Sequence, residues 1–284
     1  MSVRSLKRII VGVSTSDGAG VRLRRSLGQN ELARLDPFLM LDEFSSDNAD
    51  DYIAGFPSHP HRGFETATYM IDGHMLHEDH LGNRGDLKSG GVQWMTAGRG
   101  IVHSEMPQQQ SGLMRGFQLW INLPAREKMK PAGYRDIQPD EIPKVDIDGG
   151  AVKIIAGVLQ WADQRVAGPV TGLSTEPLYL DVVLHAGARF EQPVDPSHNA
   201  FVYPFEGAVT LGDGDDVIEA GRAGITGEGE RIAVTAGAQG CRCLVLAGKP
   251  LGEPVAQYGP FVMNTRDELE QAVRDYQNGT LTTS

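Results

Sequence analysis

Cysteine is scarce in this chain, and its scarcity bears on where the protein works. The 284 residues include two cysteines, Cys241 and Cys243. Because cysteines two residues apart are poorly placed to bridge each other, a disulfide-stapled secreted protein is not expected, and we expect a cytoplasmic location. Both cysteines lead into the apolar run at residues 244–246, so we interpret them as small core residues rather than as a redox or metal pair.

Long hydrophobic runs are also missing. The apolar run at residues 9–11 is too short for the core of a signal peptide, and no small-residue cleavage site follows it. No stretch approaches the roughly 20 apolar residues of a transmembrane helix. The sequence therefore predicts neither a signal peptide nor a membrane-spanning segment.

Positive charge is in deficit. Lysine and arginine total 26 against 37 aspartates and glutamates, which gives a net charge of −11 with histidine neutral. An acidic surface repels phosphate backbones and anionic lipid headgroups. This balance argues against direct nucleic-acid or membrane binding and favours contacts with other proteins.

Glycine and proline, by contrast, are plentiful, at 35 and 16 residues. This composition predicts many turns between short strands rather than long helices. The run at residues 63–71 alternates like a strand and ends at Asp72-Gly73, which predicts a hairpin. The C-terminus differs, because Thr265 and Glu268 match a capping box and apolar residues follow at helical spacing. An amphipathic helix is predicted over residues 265–278.

The second half of the chain looks like a second copy of the first. Strand-like runs stop at a polar, proline-containing connector over residues 125–148 and then resume. Residues 69–73 and 202–207 echo each other, because both are apolar strands that end in an acidic residue and glycine. The sequence thus predicts an all-β protein made of two similar sandwiches or barrels.

Four potential metal ligands occur in two short motifs of the first half. His59 and His61 are separated by one residue, and His103 and Glu105 repeat that spacing further along. Because residues i and i+2 of a strand share a face, two neighbouring strands would aim three imidazoles and a carboxylate at one point. This ligand set suits a divalent first-row metal such as Fe, Mn, Ni, Co or Zn. An ion that accepts six ligands would keep open positions, as catalytic ions do.

The remaining histidines carry weaker signals. His74, His77 and His80 are spaced three apart around a turn. We expect them to be exposed loop histidines rather than a second metal site. His185 has no partner in the pattern and is expected to be structural.

Around the two ligand motifs the chain resembles the pirin family of the cupin superfamily. The resemblance is carried by residues 59–66 and 93–107, and it extends to residues 36–44, 118–124 and 257–265. It implies a bicupin: two stacked cupin barrels, each a double-stranded β-helix or jelly roll, followed by the C-terminal helix.

The resemblance also implies where the domains lie. Residues 1–135 would form an N-terminal cupin domain with the metal site, and residues 136–284 a C-terminal cupin domain that includes the helix. The second copy keeps one imidazole, His198, at the place of the His-x-His pair, and its counterpart of the His103 segment has no histidine. Because one imidazole cannot hold a catalytic ion, we expect the C-terminal domain to be metal-free.

By position, the resemblance assigns the metal ligands to His59, His61, His103 and Glu105, which agrees with the strand argument. It favours iron, as Fe(II). The general cupin pattern also has a glutamate after the His-x-His pair, and Glu65 lies near that place. We interpret Glu65 as a structural group or an outer partner of the ligands.

Two functions remain open at this point. Pirins resemble quercetin 2,3-dioxygenases, which open a flavonol ring with molecular oxygen, so the resemblance implies a small aromatic substrate and O2. Glu105 would then act as the catalytic base that takes the proton of the flavonol 3-hydroxyl. Some pirins instead act as transcription cofactors or modulate metabolic enzymes, which implies a metal- or redox-sensing regulator with a protein partner. The same four ligands serve both hypotheses, and either protein would be expected to be a monomer.

Overall fold

The computed structural model describes residues 2–283, which form β-strands joined by turns and a single α-helix near the C-terminus. In chain order the strands of the first half are β1 (Leu6–Val11), β2 (Val13–Asp17), β3 (Val21–Arg25), β4 (Phe38–Ser46), β5 (Phe56–His61), β6 (Phe64–Asp72), β7 (His74–Asp79), β8 (Arg84–Lys88), β9 (Val92–Thr96), β10 (Ile101–Pro107), β11 (Met114–Asn122) and β12 (Gly133–Ile137). Those of the second half are β13 (Lys144–Ile147), β14 (Gly150–Ala156), β15 (Val158–Trp161), β16 (Gln164–Ala167), β17 (Leu178–Leu184), β18 (Arg189–Pro193), β19 (Asn199–Leu211), β20 (Val217–Glu219), β21 (Arg222–Thr226), β22 (Arg231–Gly248), β23 (Ala256–Tyr258) and β24 (Phe261–Met263). The helix α1 spans Arg266–Gln277, and short 3-10 turns lie at Glu31–Ala33, Ala49–Asp51, Ala125–Glu127 and Pro139–Glu141. The predicted all-β fold of two cupin domains with a C-terminal helix is confirmed.

The described chain divides into two compact units. One, the motif unit, holds residues 14–25, 38–139 and 251–283, and the other holds residues 2–13, 26–37 and 140–250. Each unit is therefore discontinuous in sequence, whereas the prediction divided the chain once, between residues 135 and 136. Strand pairing explains why residues 2–13 belong to the second unit: β1 pairs antiparallel with β21 and so joins the sheet built by the second half.

The motif unit is built from two main antiparallel sheets. The larger has the strand order β12-β9-β6-β11-β4-β3-β2, and the smaller has the order β5-β10-β7-β8. The predicted hairpin at Asp72-Gly73 is wrong, because β6 lies in the larger sheet and β7 in the smaller one. Gly73, with φ of +118°, turns the chain between the sheets in a conformation that favours glycine.

The second unit contains a nine-stranded sheet in which the long strands β19 and β22 pair with each other. Its core is one large cluster of buried aliphatic side chains together with Phe190. Cys241 and Cys243 are part of this cluster, which confirms that they are core residues.

The C-terminal helix begins as its sequence predicts. Thr265 and Glu268 form a reciprocal capping box, and Ala272 is buried against Phe261 and Leu281. The helix contacts β23 and β24 and lies in the same compact unit as these strands. Among residues 2–283, no helix has the length and apolar character that crossing a membrane requires.

A buried lysine ties the C-terminal segment to the strands that carry the ligand motifs. Lys128 is 1 % exposed, and its Nζ donates to the Gly63 carbonyl at 2.7 Å, to Asn122 Oδ1 at 2.7 Å and to the Val262 carbonyl at 3.0 Å. Gly63 lies between β5 and β6, and Val262 lies in β24. One ammonium group thus satisfies three buried oxygens that have little access to water.

We predict that Lys128→Met destabilises the protein by about 3 kcal/mol, because the apolar side chain leaves buried oxygens without a donor. In a thermal scan the transition should fall by roughly 5–10 °C. Lys88→Met is the matched control, since Lys88 is 58 % exposed in its side chain, and its transition should stay close to that of the wild type. Equal transitions for the two variants would contradict the role given to Lys128.

Candidate metal centre

The two ligand motifs lie on adjacent antiparallel strands of the smaller sheet, as their spacing predicts. In the pairing of β5 with β10, His59 is opposite His103, and His61 is opposite Ile101. The register shifts between His103 and Glu105, so Glu105 is opposite Phe56. The side chains of His59, His61 and His103 therefore meet on one face of the strand pair.

The three imidazoles form a tight group. One nitrogen from each of His59, His61 and His103 lies within 4.8 Å of the other two, and the ring centroids are 4.3 to 5.0 Å apart. His61 and His103 are both 3 % exposed, and His59 is half-buried. Among residues 2–283, this is the group of histidine, cysteine and carboxylate side chains whose spacing could hold a metal ion.

The polar atoms of this group fit a metal ion. Both ring nitrogens of His61 and Nε2 of His103 are buried and have no hydrogen-bond partner in the described part of the chain. Nδ1 of His59 lies 2.8 Å from the Pro57 carbonyl, to which it can only donate, so its Nε2 carries the lone pair. Bare imidazole nitrogens aimed at one point are the donor set that a divalent transition metal takes.

Burial also keeps these imidazoles in the form that binds metal. It lowers the pKa of His61 well below the ordinary value, and the neighbouring His59 lowers it further. Burial likewise lowers the pKa of His103, with smaller contributions from His61, His59 and His77. At neutral pH both rings are therefore uncharged, and neutral imidazole is the ligand form.

Glu105 lies on β10, as His103 does, but its carboxylate makes a hydrogen bond to a threonine of the larger sheet. It is 4 % exposed, and its Oε1 accepts a hydrogen bond from Thr68 Oγ1 at 3.0 Å. Glu105 is not part of the group of three nitrogens described above. Its place as a fourth ligand therefore stays a prediction.

Glu65 faces away from the histidines. Its neighbour Phe64 packs on the His61 ring at 5.2 Å, and successive strand residues point to opposite faces. The Glu65 carboxylate accepts from Thr96 Oγ1 at 2.7 Å and pairs with Lys130 at 3.3 Å. These contacts support its interpretation as a structural group.

A row of polar residues crosses the inner face of the larger sheet. Five residues on consecutive strands stand directly opposite one another in register: Gln93, Thr68, Gln118, Asp42 and Arg25. Apolar residues flank the row, with Leu23, Phe44 and Met70 on one side and Met40, Trp120 and Met95 on the other. Most of these groups are paired, since Arg25 donates to both carboxylate oxygens of Asp42 and Gln93 Nε2 donates to the Gly85 carbonyl, as buried polar groups require.

The row meets the ligand motifs at Thr68. The Thr68 hydroxyl lies beside Glu105 Oε1 and Gln118 Oε1, but its one hydrogen can serve only one acceptor. Because a carboxylate can only accept, we assign that hydrogen to Glu105 and turn the Gln118 amide so that its NH2 group donates to Thr68. Gln118 and Thr68 together orient the Glu105 carboxylate.

The sequence reasoning missed both this row and His77. Each strand contributes a single residue to the row, so no pattern within one strand marks it, and pairing register is needed to align its members. His77 is 1 % exposed, so its expected place in an exposed loop is wrong, and its Nδ1 lies 3.3 Å from Nδ1 of His103. His80 is exposed, and His74 is half-buried.

Two family models match this chain. The model described as Pirin matches residues 20–121, and the model described as Pirin C-terminal cupin domain matches residues 179–282. A pirin-like protein of Caulobacter vibrioides is 51 % identical over 280 residues, covering 98 % of this chain and 99 % of that protein.

Two solved structures are also similar. Quercetin 2,3-dioxygenase from Acinetobacter baumannii superposes with a TM-score of 0.88 at 33 % identity, covering 99 % of both chains. The bacterial pirin YhhW from Escherichia coli, solved in complex with nickel(II), superposes with a TM-score of 0.64 at 17 % identity, covering 86 % of this chain and 98 % of its own. The latter likeness concerns the fold alone.

We predict that His61→Leu separates metal binding from stability. Leucine fills the site beside Phe64 and Trp120 without a polar atom, so the apo protein should be as stable as the wild type or more stable by about 1 kcal/mol. Affinity for Co(II) or Zn(II) in a chelator competition should fall by at least about 100-fold.

The matched control is His185→Leu, because His185 is exposed and lies in the second unit. It should leave metal affinity unchanged. A His61→Leu protein that still binds one ion with wild-type affinity would show that His61 is not a ligand.

Proposed function

This chain belongs to the pirin family, and we propose that it is a metal-dependent dioxygenase that opens flavonols such as quercetin with molecular oxygen. The observation that carries the proposal is the set of buried imidazole nitrogens without hydrogen-bond partners beside a buried glutamate. The likeness to quercetin 2,3-dioxygenase along nearly the whole chain supports the choice of reaction.

In this proposal His59, His61, His103 and Glu105 hold one divalent ion, for which we propose Fe(II). A bound divalent ion lowers the pKa of a coordinated hydroxyl and offers open positions to substrate and oxygen. Supporting Glu105 as the fourth ligand is its position two residues after His103 on β10, inside the same barrel.

Glu105 is the proposed base for the flavonol 3-hydroxyl. Thr68 holds one carboxylate oxygen, Oε1, and thereby leaves Oε2 to accept the substrate proton. Gln118 fixes the Thr68 hydroxyl in turn, so the carboxylate is oriented before substrate arrives.

The apolar side of the site suits an aromatic substrate. Phe64 and Trp120 pack against each other at 4.3 Å and both contact the His61 ring. Nε1 of Trp120 is buried and has no acceptor within residues 2–283, so its N–H is available to a carbonyl or hydroxyl oxygen of a ligand. Aromatic faces beside a few polar groups are typical of small-molecule sites.

The direct test is turnover. Metal-loaded protein should consume quercetin and O2 together, and the rate should depend on the bound ion. We predict that Glu105→Gln lowers kcat per bound ion by about 10²- to 10⁴-fold, because an amide cannot take the proton. Metal content is measured in parallel, so that loss of the ion is not mistaken for loss of the base.

Glu65→Gln is the matched control. Glu65 is a glutamate as deeply buried as Glu105, but its contacts lie on the opposite face of β6, so kcat per ion should change little. Protein that holds one ion yet leaves quercetin and O2 unconsumed would contradict the proposal. That outcome would favour the second hypothesis of a metal- or redox-sensing regulator, which a metal-dependent protein partner would then support.

A further inference from the structure

We propose that His77 and Asp79 form a relay that fixes which nitrogen of His103 carries its proton, so that Nε2 is presented bare to the ion. The inference rests on the proposed metal site and assigns two positioning residues to it. Neither residue is among the four proposed ligands.

Strand pairing brings the three residues together. In the pairing of β10 with β7, His103 is opposite Asp79, and Glu105 is opposite His77. The His77 ring stacks on Tyr134 with centroids 4.1 Å apart and an interplanar angle of 13°. This stack holds the plane of the His77 ring and therefore the direction in which its nitrogens point.

The contact between the two histidines admits one proton. Nδ1 of His77 and Nδ1 of His103 are 3.3 Å apart, so one of them must donate and the other must accept. The geometry of this contact alone leaves both directions open. The contact made by the other ring nitrogen of His77, Nε2, determines which of the two histidines donates.

At that end, His77 Nε2 lies 3.4 Å from Asp79 Oδ2. A carboxylate accepts and does not donate, so the single proton of neutral His77 lies on Nε2. Nδ1 of His77 is then bare and accepts from His103 Nδ1. His103 consequently has no proton on Nε2, the atom that is buried without a hydrogen-bond partner.

Asp79 is itself held rigidly. Its Oδ1 accepts from the backbone N–H groups of Leu81 at 2.9 Å and Asn83 at 3.0 Å. Its Oδ2 accepts from Asn83 Nδ2 at 2.9 Å, and its side chain is 0 % exposed. The turn after β7 thus fixes the carboxylate that starts the relay. Fixing a ligand's tautomer through its second nitrogen also orients the ring toward the ion.

Asp79→Asn is the most direct test, because it keeps the shape of the side chain and reverses the direction of both hydrogen bonds that His77 makes. Two backbone donors keep the amide oxygen at the place of Oδ1, which puts the NH2 group toward His77. His77 Nε2 must then accept, its Nδ1 must donate, and His103 must carry its proton on Nε2. The Asn83 side-chain amide must turn as well, because its NH2 group donates to Oδ2 in the wild type and would otherwise face the new NH2 group.

The first readout is the tautomer in metal-free protein, from long-range 1H–15N correlation spectra of the histidine rings. We expect His103 to be protonated at Nδ1 in the wild type and at Nε2 in Asp79→Asn. The second readout is affinity for Co(II) alone, which should fall by about 10- to 100-fold in Asp79→Asn. His77→Phe, which keeps the stack on Tyr134 but removes the acceptor, should also bind Co(II) more weakly, and it serves if Asp79→Asn does not fold.

Asp86→Asn is the matched control, because Asp86 on β8 contacts His74 on β7 in another aspartate–histidine pair of the smaller sheet, and half of its side chain is exposed. Its Co(II) affinity should equal that of the wild type. The relay is overturned if wild-type His103 carries its proton on Nε2, or if Asp79→Asn and His77→Phe bind Co(II) as tightly as the wild type. Wild-type protein that binds no Co(II) would instead overturn the proposed metal site, and the tautomer spectra of the metal-free protein keep the two failures distinct.

Discussion

The site depends on an unusual arrangement of buried nitrogens. His61 and His103 place Nε2 atoms in the interior without hydrogen-bond partners in the described chain, although each such atom costs roughly 1–3 kcal/mol. A barrel that needed only stability would carry leucine there. A bound ion that coordinates these nitrogens would offset the free-energy cost of burying them. The residues around them hold the bare nitrogens in place.

The two sheets of the motif unit contribute different parts of the site. The smaller sheet carries the imidazoles on β5 and β10, and β7 beside them supplies a histidine and a carboxylate that face His103. The larger sheet supplies the surroundings: aromatic contacts to His61 through Phe64 and Trp120, and a polar row that reaches Glu105 through Thr68. Apolar and polar contacts from the larger sheet thus both reach the ligand motifs, and the proposed flavonol substrate calls for both.

Local patterns in the sequence predicted what depends on local geometry. The i, i+2 spacing of His59 with His61 put both on one strand face, and the Thr265–Glu268 box marked the start of the helix. What depends on pairing between distant segments could not be predicted in this way. The Asp72-Gly73 turn joins two sheets rather than two paired strands, and His77 is buried because β7 lies beside β10.

The central claim is that three imidazoles and one carboxylate surround a single ion. X-ray absorption spectroscopy of protein loaded with one equivalent of Fe(II) tests it most directly. We expect scattering from three imidazole rings and from nitrogen and oxygen ligands at about 2.0–2.2 Å. A spectrum with fewer than three imidazoles, or one that stays unchanged in His61→Leu, would contradict it.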